Sequence, residues 1–267
     1  MSPPLEQVLY NLFSETGRRE YADCARRFDK PAFLEPLLQG RDPLPGLHAN
    51  THLAQVNGFA ARYDSMGDKA GATAVHNFFA LLEKYHSFAT GGSNWREFWF
   101  NESTVADAIN DPDSGAVSQE SCTQYNMLKI ARRMFTWSGS PAMADYYELA
   151  MQNGVVSWPQ DPGAMLQSST GLATNAAGPG VMIYYLPQFA GEWKGERGHS
   201  WTGWGDPYNA FWTVNASAAA GVAAAAADAP PELFVNQLVT SSLEWKQQGV
   251  VVNQTAGKDW GWGRGQT

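Results

Sequence analysis

Three copies of one spacing limit what this chain can fold into. Phe13-xxx-Gly17-xxxx-Ala22 recurs as Tyr63-xxx-Gly67-xxxx-Ala72 and again as Phe135-xxx-Gly139-xxxx-Ala144. In each copy an apolar helical pattern precedes the glycine and another follows it. The glycine suits the position just past a helix C-terminus, where a positive φ is needed. The alanine leaves room for close approach of the next helix. Each copy therefore reads as one helical hairpin: Leu5–Thr16 with Arg19–Phe28, Thr51–Met66 with Lys69–Tyr85, and Ser121–Ser138 with Pro141–Asn153. Pro141 at a helix start supports the last of these. Three similar hairpins suggest an α/α toroid of alternating inner and outer helices, and a generic helical bundle is the plainer alternative.

The segments between the hairpins, Gln39–Leu47, Thr90–Asn94 and Ala108–Gly115, read as loops of the kind that form the mouth of a toroid. After Trp158 the helical period fades. Val181–Leu186 reads as a short strand, and Phe189–Tyr208 as a loop carrying Trp193, Trp201 and Trp204. Thr213–Pro230 is nearly all alanine, without aromatics or amphipathic period, and reads as a linker or a foreign insertion. Leu233–Leu238 and Val250–Val252 return to strand-like alternation. No element can be assigned to Gly257–Thr267.

Composition narrows the function classes. Hydrophobic residues make up 44% and charged residues 16%, so the 267-residue chain can bury a core. A net charge of −8 argues against a nucleic-acid partner. It fits a neutral substrate such as a sugar. The 11 Trp point the same way, since flat sugar faces stack on aromatic rings, although large helical cores also use Trp. With only Cys24 and Cys122 the chain is no disulfide scaffold. It has no apolar run of membrane-spanning length and no signal peptide. The sequons at Asn101, Asn215 and Asn253 are about as many as chance gives, and the compartment stays open.

Three clusters carry chemistry. His48 and His52 lie four apart at a helix start and face one side. They could hold a metal, hydrogen-bond a sugar, or simply cap and pack. Glu97 follows the Gly91-Gly92 turn and is flanked by Phe98, Trp99 and Phe100. Apolar surroundings would favour the protonated form that a general acid needs, while a solvated pair with Arg96 is the plainer reading. Glu120 and Cys122 are both zinc-ligand types at a helix start, which also favours a thiolate. Two donors alone do not make a zinc site.

The stretches LPGLHANTHLAQVNGFAARYDSMGD, FATGGSNWREFW, ESCTQYNMLKIARRMFTWSG, ADYYELAMQNGV, PGVMIYYLPQ and GWGDPYNAFW occur in this order, within a region of about residues 5–212. Together they resemble the plant-type branch of glycoside hydrolase family 127. Leu233–Thr255 resembles the family's first β-sandwich strands. The resemblance implies a mainly α fold: a partial (α/α)6 barrel over 1–212, an atypical linker over 213–230, and the start of a β-sandwich over 231–267. It implies a retaining hydrolase that removes non-reducing-end β-L-arabinofuranosyl residues from glycans. In that family a zinc-bound cysteine thiolate is the nucleophile and a glutamate is the acid/base. Glu97 of REFW matches the acid/base. Glu120 and Cys122 match two zinc ligands, and Tyr184 of Tyr-x-x-Pro matches a tyrosine near the nucleophile. His48, His52 and Trp204 join Tyr184 as sugar-binding candidates.

One departure bears on catalysis. The family continues from Phe-Trp into two cysteines, the first being the nucleophile. Here Phe211-Trp212 is followed by Thr213-Val214. The resemblance thus implies weak or absent zinc binding and impaired catalysis. It also implies a chain that begins inside the barrel and stops early in the sandwich. A non-catalytic carbohydrate-binding remnant or a mis-spliced fragment are the alternatives.

Overall fold

The computed structural model describes residues 5–110, 118–156, 185, 188, 212–215, 232–235 and 241–255. Among these the chain is mainly helical. The helices are α1 (Leu5–Thr16), α2 (Arg19–Ala25, prolonged by a 3-10 turn over Arg26–Phe28), α3 (Pro31–Leu38), α4 (Ala49–Met66), α5 (Lys69–Tyr85), α6 (Val105–Asn110), α7 (Ser121–Ser138) and α8 (Pro141–Met151). A π-turn over Gln152–Val156 continues α8.

The repeated spacing has a direct physical meaning. Gly17, Gly67 and Gly139 all have φ between +61° and +69°. Their amides donate to the carbonyls of Phe13, Tyr63 and Phe135 at 2.8, 2.8 and 2.7 Å. The aromatic residue therefore offers the last-turn carbonyl that the glycine amide caps, and the glycine reverses the chain. The repeat alanines do not share one role. Ala22 is buried, but Ala72 and Ala144 are only half-buried. In the second hairpin the close approach is made by Gly71, whose Cβ would meet the Phe59 carbonyl oxygen at 2.5 Å.

The helices form two layers. In one row α1 packs on α4 and α4 on α7. Behind that row α2 lies against α1, α5 against α4 and α8 against α7, with α3 against α5. Helix α4 is enclosed by α1, α5 and α7, and is buried on most of its circumference. Leu53, Val56 and Phe59 join Phe78, Phe79, Trp99, Leu128 and Ile130 in the main core. The Phe79 and Tyr146 rings meet edge-on at 4.8 Å and join α5 to α8. Several polar groups buried with α4 find partners, as desolvation favours, although Asn57 Oδ1 has none among the described residues. Asn57 Nδ2 donates to the Leu53 and Asn126 carbonyls, and Arg62 pairs with Asp29 and Asp68.

Two helices went unforeseen. Helix α3 starts at Pro31, which presets the first-turn φ. Helix α6 covers the start of the expected Ala108–Gly115 loop, up to Asn110. The remainder, residues 111–117, lies outside the described residues.

Strand β1 (Trp212–Asn215) pairs antiparallel with β2 (Glu232–Val235), and β3 (Ser241–Trp245) with β4 (Val250–Gln254). Thr213 and Val214, read as the start of a linker, thus lie in a strand, with Thr213 opposite Phe234. Strand β3 was also unforeseen, because its Ser-Ser-Leu-Glu-Trp pattern carries little apolar signal. The expected strand at 181–186 (Tyr185 excepted), the tryptophan-bearing loop at 189–208, the alanine-rich stretch at 216–230 and the tail at 257–267 lie outside the described residues. No helix among the described residues is long and apolar enough to cross a membrane.

Candidate active site

The site is built from loops held at the N-terminal ends of α4 and α7. Buried His86, at the end of α5, ties two of these loops together. Its Nδ1 donates to the Phe100 carbonyl at 2.8 Å and its Nε2 faces Asp42 Oδ2 at 2.8 Å. Between these anchors the Trp99 amide donates to the Leu47 carbonyl, and the Ala49 amide donates to the Glu97 carbonyl at 2.8 Å. The segment carrying Glu97 is thereby laid along the start of α4.

Glu97 sits in a tight turn. Trp95 and Phe98 exchange backbone hydrogen bonds at 2.9 and 3.0 Å. The two residues between them, Arg96 and Glu97, have φ of +50° and +70°. Positive φ at both central positions is the requirement of a type I′ turn, which ordinarily selects Asn-Gly. Among the described residues the non-glycine positions with positive φ are Arg96, Glu97 and Gln119, and all three lie here. Strain gathered at one place is the usual mark of a functional site.

The Glu97 carboxylate has two partners. His48 Nε2 lies 3.3 Å from Oε2, and the Tyr185 hydroxyl donates to Oε1 at 3.3 Å. The glutamate side chain is 43% exposed, so the expected apolar surroundings are not found. The turn sends its neighbours elsewhere. Trp99 and Phe100 enter the core, while Phe98 faces outward.

Of the histidine pair, His48 is the N-cap of α4, accepting from the Thr51 amide at Nδ1. His52 Nδ1 bonds the His48 carbonyl at 2.9 Å, and its ring meets Phe33 edge-on. Burial, its largest influence, pushes the His52 imidazole below its ordinary value. The capping and packing reading therefore accounts for most of what the pair does, with His48 additionally reaching Glu97.

On the other side Glu120 is fully buried at the N-cap of α7, and Cys122 follows within the first turn, 1% exposed. Asn94 clamps this helix start. Its Nδ2 donates to Glu120 Oε2 at 3.0 Å, and its Oδ1 accepts from the Glu120 amide at 2.9 Å and the Thr123 hydroxyl at 2.8 Å. Gly92 is required beside it, because a Cβ there would meet the Gln119 side chain at 2.2 Å. Glu120 also bridges through its backbone to Tyr185. Burial first, then the charges of Glu120 and Glu97, push the Tyr185 phenol well above its ordinary value. It therefore stays a neutral donor. Glu97, Tyr185, Glu120 and Cys122 thus surround one small region.

The tyrosine that reaches Glu97 is Tyr185. Tyr184 and Trp204 lie outside the described residues, and of Thr213 only the strand backbone is described. Asn94, Gln119 and Tyr185 were not singled out in the sequence. Asn94 stands in the FATGGSNWREFW stretch, and only its buried bonds reveal a role. The described tryptophans near the site are structural: Trp99 is in the core and Trp95 packs beside Phe88 and Phe100.

Among the described residues the donors at this site are fewer than a zinc ion takes. Glu120 and Cys122 supply two donors, whereas zinc takes three or four protein ligands. Among the described residues no cluster of three or more His, Cys, Asp or Glu could hold a metal. The other cysteine, Cys24, is exposed on α2.

A family model for the β-L-arabinofuranosidase catalytic domain of glycoside hydrolase family 127 matches residues 2–224. The chain belongs to this family. Membership in family 127 makes it a glycoside-hydrolase-type chain and implies a glycan substrate. No curated protein sequence matches it.

Proposed function

We propose that this family 127 chain binds non-reducing-end β-L-arabinofuranosyl residues of glycans and does not hydrolyse them at a measurable rate. Glu97 keeps the place of the acid/base, and its two partnered oxygens support that role more than any other observation. A general acid must hold its carboxyl against the leaving oxygen, and His48 and Tyr185 restrain it there. The Tyr185 hydroxyl would offer a hydrogen bond to a sugar hydroxyl.

The other half of the reaction lacks its means. Retention needs a nucleophile opposite the acid to form a glycosyl-enzyme intermediate. The residue aligned with it is Thr213, whose hydroxyl is a weak nucleophile without an activating base. Val214 cannot ligate a metal. Weak or absent zinc binding is the expectation for a site whose described donors are Glu120 and Cys122, and a partial (α/α)6 barrel is the expected architecture of the helical layers. Titration of the purified protein with methyl β-L-arabinofuranoside, read by ligand-observed NMR, tests the binding half. Saturable binding that Glu97→Gln weakens is expected. Absence of binding would overturn the reading.

A further inference from the structure

We propose that Phe98 forms the leaving-group side of the site, an aromatic platform for the ring attached to the arabinofuranosyl residue. The inference rests on Glu97 as proton donor. A general acid delivers its proton to the glycosidic oxygen, so the leaving group must lie within hydrogen-bond reach of the Glu97 carboxyl. Whatever apolar surface adjoins that carboxyl on its open side therefore faces the leaving group and not the arabinofuranose.

Phe98 is that surface. It follows Glu97 directly and closes the same turn by its paired bonds with Trp95. Of the aromatic residues 98–100 it alone points outward, at 44% exposure against 1% for Trp99 and 3% for Phe100. Its backbone is bridged to His48, and the two rings meet edge-on with centroids 5.4 Å apart. His48 and Glu97 are themselves 34% and 43% exposed. The ring is thus fixed in orientation and open on one face, beside the open carboxylate. A rigid exposed ring loses little entropy on contact and offers an amphipathic sugar or an aryl group a face to stack on.

The test compares two glycosides that share the arabinofuranosyl group. Methyl β-L-arabinofuranoside has no ring on the leaving side, whereas phenyl β-L-arabinofuranoside has one. Wild-type protein is expected to bind the phenyl glycoside about three- to tenfold more tightly. Phe98→Ala should abolish that preference, costing the phenyl glycoside more affinity than the methyl glycoside. Phe98→Trp should retain it, and thermal melting of each variant checks that the fold is kept. Equal loss for both glycosides in Phe98→Ala, or a preference that survives it, would overturn the proposal. Wild-type binding of both without preference would overturn it and leave the arabinofuranosyl reading standing. Binding of neither would remove both.

Discussion

The His48 imidazole joins the start of α4 to the candidate acid. Its Nδ1 accepts from the Thr51 amide, and its Nε2 lies 3.3 Å from Glu97 Oε2. In the neutral ring the cap requires the lone pair on Nδ1 and so leaves the proton on Nε2, facing the carboxylate. His48→Ala should lower stability by about 1 kcal/mol, the usual cost of a lost N-cap. His48→Asn, which can cap but cannot reach Glu97, should recover most of that. Urea unfolding distinguishes them, and equal losses in both variants would contradict the capping role.

Gly67 closes the second hairpin at φ +67°, with no atom within 4 Å of where a Cβ would stand. Gly67→Ala therefore isolates the conformational cost, expected at about 1 kcal/mol of destabilisation. Arg96 occupies similar backbone space at φ +50° without being glycine. Arg96→Gly should stabilise the protein, by no more than about 1 kcal/mol, because glycine's own chain entropy offsets part of the relief. A neutral result for Gly67→Ala would show that the turn does not hold its φ.

The hairpins were legible because Gly17, Gly67 and Gly139 mark them with a local backbone requirement that sequence spacing exposes. Helix α6 and strand β3 were not, since both are short and carry little apolar period. Glu97, Glu120 and Cys122 could be picked out as residue types and as matches to a family. That Arg96 and Glu97 form a strained turn could not, because Arg-Glu carries no turn signal. Nor could Asn94, whose bonds to Glu120 and Thr123 span 26 and 29 residues of sequence. Such contacts are set by packing rather than by neighbours in the chain.

Asn94 is fully buried with a buried carboxylate as its partner. Asn94→Ala should cost about 2–3 kcal/mol, because it leaves the Glu120 carboxylate and amide without this partner. Asn94→Asp should cost more despite its similar shape, since it sets two carboxyl groups against each other in the interior. Chemical denaturation ranks the variants. An Asp variant as stable as wild type would mean that Glu120 is not held as described.

Glu6 gives the fold a pH dependence. Its carboxyl is 2% exposed between α1 and α4, bonded by Gln55 Nε2 and seated where a Gly58 Cβ would collide with it. Burial first, then Asp29, push it from 4.5 to about 8, against the opposing pull of Lys30 and Arg62. Below about 4.5 both folded and unfolded chains hold the proton. Above that the unfolded chain releases it while the native one keeps it, so stability falls as pH rises towards about 8. Burial pushes Asp29 and Asp64 in the same direction. Melting temperatures across this range should fall for wild type and fall less for Glu6→Gln. Parallel slopes for the two proteins would contradict the buried acid.

The most direct test of the account is release of the aryl group from an aryl β-L-arabinofuranoside by the purified protein, with Glu97→Gln alongside. Loss of a nucleophile commonly removes on the order of a millionfold of rate in well-studied hydrolases. With threonine in that place, no turnover above the Glu97→Gln background is predicted. Clear turnover that disappears in Glu97→Gln would mean that another residue attacks the sugar, and the non-hydrolytic reading would be contradicted.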